Sequence, residues 1–238
     1  MTDFTVPAHS GDGGVAPVAT PPGPPLTARG PLYRMVQALH FGLFRALLRW
    51  DFEGAANYPS AGPYLVAINH LHALDVPVIF ATVPHRIAVI AYEGWADHWL
   101  VGTYGRTLTK VIPVNPDRVD HRALATGSAW LRGGGVLGIA PEGQRSPTGG
   151  LVTGQPGAAY LASRTGVPIV PVVAWGQENV VGTLARLRRA PVHVRVGQPF
   201  VLPGTPNKAR SPELEVYTDQ IMHALAALLP ESYRGVYR

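Results

Sequence analysis

Between residues 64 and 197 the chain alternates short apolar runs with longer segments of helical periodicity. Most of the runs are continuously apolar, which is typical of strands buried on both faces of a sheet. The runs are YLVAIN (64–69), RIAVIAY (86–92), KVIPVN (110–115), GVLGIA (135–140), VPIVPVVAW (167–175) and VHVRVG (192–197). Helices are predicted near 75–82, 95–103, 119–132, 155–165 and 212–229. This alternation predicts an α/β fold with a mostly parallel central sheet flanked by helices.

The fifth apolar run carries two prolines, Pro168 and Pro171. Proline has no N–H to donate to a strand ladder, so it is usually confined to edge strands and irregular positions. We therefore expect this strand to lie at the edge of the sheet or to bend sharply, where it could line an apolar groove.

Residues 32–50 have few helix breakers and predict an amphipathic N-terminal helix. A projection at about 100° per residue gathers Arg34, Gln37, Arg45 and Arg49 on one narrow side, and most of the remaining perimeter is apolar. Two interpretations stay open from this pattern. The helix is either an interfacial membrane helix whose arginines meet lipid phosphates, or a helix docked on the core of the domain.

The chain divides into three predicted segments. Residues 1–31 are rich in Pro, Gly, Ala, Ser and Thr and lack the basic start and apolar core of a secretory signal, so we expect a disordered tail. Residues 32–54 form the amphipathic helical segment, and residues 55–238 form one globular domain. No apolar run approaches the roughly 20 residues that a membrane-spanning helix needs.

Composition narrows the class of protein. With 238 residues, 46% of them hydrophobic, the chain can bury the core of one domain. The absence of cysteine excludes disulfides, thiolate nucleophiles and cysteine-bound metals, and favours the cytoplasm. A net charge of +5 suits nucleic acid, a phosphorylated metabolite or an anionic membrane surface. The chain has no basic run, zinc pattern or stacking-aromatic motif, which argues against nucleic acid.

Candidate chemistry follows the first predicted strand, where Asn69 and His70 precede Asp75. Residues five apart on a helix are about 140° apart around its axis, so His70 and Asp75 cannot share a helical face. They can meet if His70 lies in the loop and Asp75 in the first helical turns. The carboxylate then orients the imidazole, whose other nitrogen can deprotonate a hydroxyl. A capping asparagine and a core histidine are the alternative.

Two more strand ends carry arginines. Arg118 lies in a turn after the third predicted strand, and Gly143 and Arg145 lie in a turn after the fourth. Glycine lets the backbone approach a ligand, and a guanidinium binds phosphate through a planar fork of donors. Together they predict an anion pocket beside the histidine, although each turn alone could be structural.

Four sequence blocks, taken in their order along the chain, resemble the motifs of the glycerophospholipid acyltransferase family, in particular those of bacterial lysophosphatidic acid acyltransferases. Asn69, His70 and Asp75 match the family's Asn-His-x4-Asp motif, and IPVNPDR (112–118) resembles its second block. VPIVPV (167–172) resembles the proline-containing fourth block. The resemblance covers roughly residues 50–200 and implies that residues 55–238 form an acyltransferase domain.

The third motif of that family, Glu-Gly-Thr-Arg-Ser, is matched at four of five positions. The matching residues are Glu142, Gly143, Arg145 and Ser146, and Gln144 replaces the threonine. The resemblance implies that Asn69, Arg118, Glu142, Gly143, Arg145 and Ser146 bind substrate. Among them, Arg118, Glu142, Gly143 and Arg145 would hold the acceptor phosphate, Glu142 by orienting an arginine.

The implied reaction is acyl transfer from acyl-CoA or acyl-carrier protein to the free hydroxyl of a lysophospholipid, converting lysophosphatidic acid to phosphatidic acid. His70, oriented by Asp75, would act as the base. Backbone amides at the start of the helix after His70 are candidates for stabilising the oxyanion. No metal and no bound cofactor are expected. The expected partners are both substrates, an anionic membrane surface and acyl-carrier protein.

The resemblance favours helix 32–50 as the membrane-facing element of a peripheral protein on the inner face of the cell membrane. Another lysolipid or a glycolipid remains an alternative acceptor, and a membrane scaffold with a vestigial site remains an alternative role. A serine hydrolase is excluded, because the chain has no Gly-x-Ser-x-Gly elbow and Ser128 lies in TGSAW (126–130).

Overall fold

The computed structural model describes residues 30–92, 109–114, 120–206 and 209–238. The predicted helix at 95–103, residues 1–29 of the predicted tail, and Arg118 lie outside these described residues.

Strands and helices alternate along the described chain. The strands are β1 (Leu48–Glu53), β2 (Tyr64–Ile68), β3 (Ile87–Tyr92), β4 (Lys110–Val114), β5 (Val136–Ile139), β6 (Ile169–Trp175) and β7 (Ala190–Val196). The α-helices are α1 (Pro31–Leu47), α2 (Asp75–Thr82), α3 (His121–Arg132), α4 (Gly157–Thr165), α5 (Val180–Leu184) and α6 (Ser211–Leu228). Short 3-10 turns lie at Ala55–Asn57, Gln177–Asn179, Glu231–Tyr233 and Gly235–Tyr237.

Within the described residues, seven strands form one sheet in the order β1-β7-β6-β2-β5-β3-β4. Neighbouring strands are parallel except β6 and β7, so β1 and β7 run opposite to the other five. All residues of β2 and β5 are buried, as their uninterrupted apolar sequences predict. The predicted α/β fold with a mostly parallel sheet flanked by helices is confirmed. Loops after β2, β5 and β6 therefore meet at one edge of the sheet.

Helices cover both faces of the sheet. The face that we call the α1 side packs residues of α1, α2 and α5 against β1, β2, β6 and β7. The opposite face, the α6 side, packs α3, α4 and α6 against the sheet. Among the described helices, none is both long enough and apolar enough to cross a membrane.

Local sequence signals set several helix ends. The Asp120 carboxylate accepts a hydrogen bond from the Ala123 N–H at 2.9 Å and caps α3. Gly166 ends α4 with φ at +68°, the left-handed backbone that glycine adopts without a Cβ clash. Asp120 and Gly166 therefore set where α3 begins and where α4 ends.

The predicted edge position of the proline-containing strand is wrong, because β6 lies between β7 and β2. Ile169 pairs with Phe200 and Val172 pairs with Val196, so the β7 side carries one extra residue between these pairs. This bulge lies beside Pro171, whose carbonyl accepts from the Gly197 N–H at 2.9 Å. Proline is therefore tolerated in this interior strand, because the N–H that Pro171 lacks would face the bulge and not a regular ladder.

The N-terminal helix is shorter than predicted. It ends at Leu47, and residues 48–53, which the sequence analysis assigned to the helical segment 32–54, form β1 beside β7. Gln37 does not belong to an exposed basic side, because it is buried and its Nε2 donates to the Phe80 and Val83 carbonyls, each at 2.9 Å. The helix is therefore docked on α2 through one face.

Candidate active site

His70 and Asp75 meet where β2 ends and α2 begins. The imidazole Nδ1 lies 2.8 Å from the Asp75 Oδ2, and the His70 side chain is 26% exposed whereas that of Asp75 is 3% exposed. Because a carboxylate only accepts hydrogen bonds, Nδ1 carries a proton, and in the neutral imidazole the free lone pair is then on Nε2. The predicted juxtaposition is present, with His70 in the loop and Asp75 in the first turn of the helix.

The buried Asp75 carboxylate is surrounded by N–H donors. Its Oδ2 also accepts from the main-chain N–H groups of Leu71 at 2.7 Å and His72 at 2.9 Å. Its Oδ1 accepts from the Gln177 Nε2 at 2.6 Å. A carboxylate with this many donors is held in one orientation. The dyad therefore presents its imidazole in a fixed position.

Gln177 was not identified from the sequence. It lies in the turn after β6, is fully buried, and its Nε2 also approaches the Ala174 carbonyl at 3.3 Å. Its Oε1 has no hydrogen-bond partner among the described residues. The rule that sites form at the carboxyl ends of parallel strands points to this position, since β6 lies beside β2.

Asn69 holds the loop after β2 against β6. Its side-chain Nδ2 donates to the Ala174 carbonyl, and its Oδ1 accepts from the Ala174 N–H, both at 2.8 Å. The side chain is 2% exposed. Substrate binding by Asn69 stays a prediction, while these two hydrogen bonds tie the residue before His70 to β6.

Glu142 and Ser146 hold the main chain of His70 from both sides. The Glu142 Oε1 accepts from the His70 N–H at 2.7 Å, and its Oε2 accepts from the Val152 N–H at 3.0 Å. The Ser146 N–H donates to the His70 carbonyl at 2.7 Å. Burial raises the pKa of Glu142, and its two N–H donors oppose that shift. These contacts fix the loop that carries His70, and the predicted roles of Glu142 at the phosphate and of Ser146 in substrate binding stay predictions.

Gly143 and Arg145 lie exposed on the same loop as Glu142. Gly143 has φ at +67°, and a Cβ there would lie 3.1 Å from the Gln155 Cγ, so both backbone and space favour glycine. Their predicted phosphate contacts stay predictions, as does that of Arg118, which lies outside the described residues.

The amides proposed for the oxyanion are largely engaged within the loop. Those of Leu71 and His72 donate to Asp75, the Leu74 N–H donates to the His72 Nδ1 at 3.2 Å, and the Asp75 N–H donates to the His72 carbonyl at 3.1 Å. That expectation is wrong for these four groups. In the part of the chain that the structure describes, no group of three or more His, Asp or Glu side chains could hold a metal ion.

The sequence is similar to those of known acyltransferases. Residues 49–175, more than half of the chain, match the profile of the family described as Acyltransferase. The chain is 26% identical over 196 residues to the 1-acyl-sn-glycerol-3-phosphate acyltransferase alpha of Homo sapiens, and 24% identical over 195 residues to that of Mus musculus. Each match covers 77% of this chain but only 65% of the relative.

A solved structure shares the fold. The 1-acyl-sn-glycerophosphate (LPA) acyltransferase PlsC from Thermotoga maritima superposes with a TM-score of 0.63 at 24% sequence identity. The superposition covers 83% of this chain and 78% of that protein.

Proposed function

The chain belongs to the acyltransferase family, and we propose on this premise that it transfers an acyl group from a thioester to the free hydroxyl of lysophosphatidic acid. The observation that carries the proposal is the His70–Asp75 dyad, with its partly exposed imidazole and buried carboxylate. The names of the human and mouse relatives support lysophosphatidic acid as the acceptor.

The dyad supports a direct transfer. The His70 Nε2 takes the proton from the acceptor hydroxyl as its oxygen attacks the thioester carbonyl. The tetrahedral intermediate collapses by breaking the carbon–sulfur bond, and the imidazolium returns the proton to the thiolate. The products are phosphatidic acid and a free thiol, and His70 ends as it began. No covalent enzyme intermediate, metal or bound cofactor takes part.

Arginine side chains supply the recognition of the acceptor phosphate in this proposal. Arg145 lies exposed on the loop whose Glu142 holds His70, so a bound phosphate would lie near the base. Gly143 lets the backbone of that loop approach the phosphate, and Arg118 adds a second cation. Gln144 replaces the family's threonine in this loop, which keeps other lysolipids or a glycolipid as alternative acceptors.

An exposed apolar stripe on α1 supports a position on the membrane surface. Met35, Leu39, Leu43 and Leu47 repeat every four residues and are 54%, 66%, 54% and 42% exposed. The opposite face is docked, since Tyr33 is buried against Phe80. The two interpretations of this helix are therefore compatible, and we place the protein peripherally on the inner face of the cell membrane.

The test is an acceptor and donor panel with purified protein. Long-chain acyl-CoA and acyl-carrier protein are each offered with lysophosphatidic acid, another lysophospholipid and a glycolipid, and the lipid products are identified by mass. Phosphatidic acid is the expected product with at least one donor. Acylation of a different acceptor alone would overturn the substrate assignment but keep the acyltransferase, whereas no acylated product with any pair would overturn the proposed function.

A further inference from the structure

Leu187 stands in a conformation and an environment that do not suit leucine. It is 97% exposed, and it is the one non-glycine residue in the described part of the chain with a positive φ, at +55°. The turn is closed by hydrogen bonds from the Leu187 N–H to the Leu184 carbonyl at 2.9 Å and from the Arg188 N–H to the Thr183 carbonyl at 3.2 Å. This is the Schellman pattern, whose left-handed position is usually glycine. Neither packing against the described residues nor backbone preference explains the presence of leucine at this position.

The residues around Leu187 are cationic. Arg186, Arg188 and Arg189 flank it and are all exposed. An exposed apolar side chain between exposed arginines matches an anionic bilayer, where arginines lie at the phosphates and the apolar group enters the acyl boundary.

The turn at residues 185–189 is tied to the C-terminal end of α1. The Arg189 guanidinium donates through Nη2 to the carbonyls of Arg45 and Leu48, the latter at 2.5 Å. Arg189 and Arg45 also line one groove with Phe41, Trp50 and Phe52. The turn therefore lies beside the end of the helix whose exposed leucines include Leu43 and Leu47.

We propose that residues 185–189 form a second membrane contact, in which Leu187 inserts into an anionic bilayer while Arg186 and Arg188 bind lipid phosphates. The inference extends the proposed membrane position of α1 but does not depend on the acyl-transfer reaction. Two separate contacts, the apolar stripe of α1 and this turn, would fix the orientation of the domain on the bilayer, which one helix alone leaves free to roll about its axis.

The first experiment uses the absence of cysteine in the natural chain. The full-length variant L187C is labelled with an environment-sensitive nitrobenzoxadiazole group and mixed with vesicles of phosphatidylcholine, alone or in equal parts with phosphatidylglycerol. A rise and blue shift of the emission is expected with the anionic vesicles. V216C is the matched control, because Val216 is 64% exposed on α6, on the other face of the sheet. Its label should not respond.

The second experiment measures vesicle co-sedimentation of unlabelled variants. L187G removes the apolar tip and relieves the left-handed backbone, so it should keep the wild-type melting temperature and yet bind anionic vesicles about fivefold more weakly. R186Q/R188Q should weaken binding about fivefold for each arginine removed. R122Q/R238Q carries the same net charge, removes exposed arginines elsewhere, and should stay much closer to wild type.

Wild-type vesicle binding by L187G with no response of the L187C label would overturn the proposal. A response of the label to purified acyl-carrier protein and none to vesicles would also overturn it, in favour of a protein partner. Neither the label fluorescence nor the co-sedimentation depends on substrate turnover. Both experiments therefore test the membrane contact even if the proposed acyl-transfer activity fails. Conversely, loss of vesicle binding by L187G, together with a normal rate of acylation of a detergent-dispersed acceptor, would support the membrane contact alone.

Discussion

Among the residues that the structure describes, two His–Asp pairs of nearly equal length lie in different surroundings. His70 lies 2.8 Å from Asp75, and His193 lies 2.7 Å from Asp51. The Asp75 side chain is 3% exposed and accepts four hydrogen bonds. The Asp51 side chain is 40% exposed on the open face of β1. The separation of the two atoms therefore does not distinguish a candidate base from a surface contact.

The second pair is part of a surface network. Asp51 also accepts from the Arg195 Nη2 at 2.8 Å, and the hydrogen bond to Arg195, followed by that to His193, lowers the pKa of Asp51. The His193 ring stacks on Trp175, with centroids 4.9 Å apart. His193 also lies within β7, whereas His70 follows the carboxyl end of a parallel strand. Burial of the carboxylate, its donors and its place at a strand end make the first pair the candidate dyad.

Replacing each of the two histidines should give the largest difference in activity between the two pairs. H70A is expected to lower kcat/KM for acyl transfer by about a thousandfold, because the general base is lost. H193A should stay within about twofold of wild type, since surface ion pairs contribute little. Steady-state kinetics measure kcat/KM of both variants, and circular dichroism verifies that both are folded. Equal losses in the two variants would remove the distinction between the pairs.

Changing the two carboxylates should give a smaller difference. D75N is expected to lower kcat/KM about a hundredfold, because an amide nitrogen would face N–H donors and the imidazole would lose its orienting acceptor. D51N removes a charge that solvent already screens and should change the rate less than twofold. Retention of full activity by D75N would show that His70 needs no orienting carboxylate.

Gln177 is a further difference between the two pairs. It donates to Asp75, whereas Asp51 has no glutamine donor among the described residues. Q177L keeps the size of the side chain but removes the donor to the Asp75 Oδ1, so kcat should fall about tenfold with little change in KM. Q198L, at an exposed glutamine, is the control. A loss of stability in Q177L with an unchanged kcat would assign Gln177 to folding alone.

The smallest expected effect is on stability and concerns Glu142, which accepts a hydrogen bond from the His70 N–H. Burial raises the pKa of Glu142, so the folded protein binds this proton more tightly than the unfolded chain does. The contribution of Glu142 to the unfolding free energy is therefore fully present below the ordinary glutamate pKa and is lost as pH rises through the raised value. Denaturant unfolding should give wild type its largest advantage over E142Q at acidic pH. An advantage that grows with pH would contradict this sign.

The sequence predicted what depends on neighbours along the chain. His70 and Asp75 are five residues apart at a strand end, so their meeting followed from the pattern. Asp51 and His193 are 142 positions apart, and Gln177 lies 102 positions from Asp75, so only the pairing of strands brings them together. The main-chain role of Glu142 was not predictable either, because the partners of a side chain in a loop depend on how the loop folds.

Strand β1 was missed although its signal is present. In LRWDFE, residues 48–53, apolar and charged residues alternate strictly, which is the period of a half-exposed strand. The run follows α1 without a helix breaker, and the helical pattern was extended across it. The interior position of β6 was missed for another reason, since the bulge that accommodates Pro171 forms only when β7 pairs with it.

The most direct test of the account follows thiol release and lipid product together in one reaction of wild-type protein with acyl-CoA, with and without lysophosphatidic acid. Direct transfer through His70 predicts one thiol per phosphatidic acid formed, and no release or initial burst when the acceptor is omitted. A burst of thiol equal to the amount of enzyme in the absence of acceptor would reveal a covalent acyl-enzyme and contradict the role assigned to the His70–Asp75 dyad.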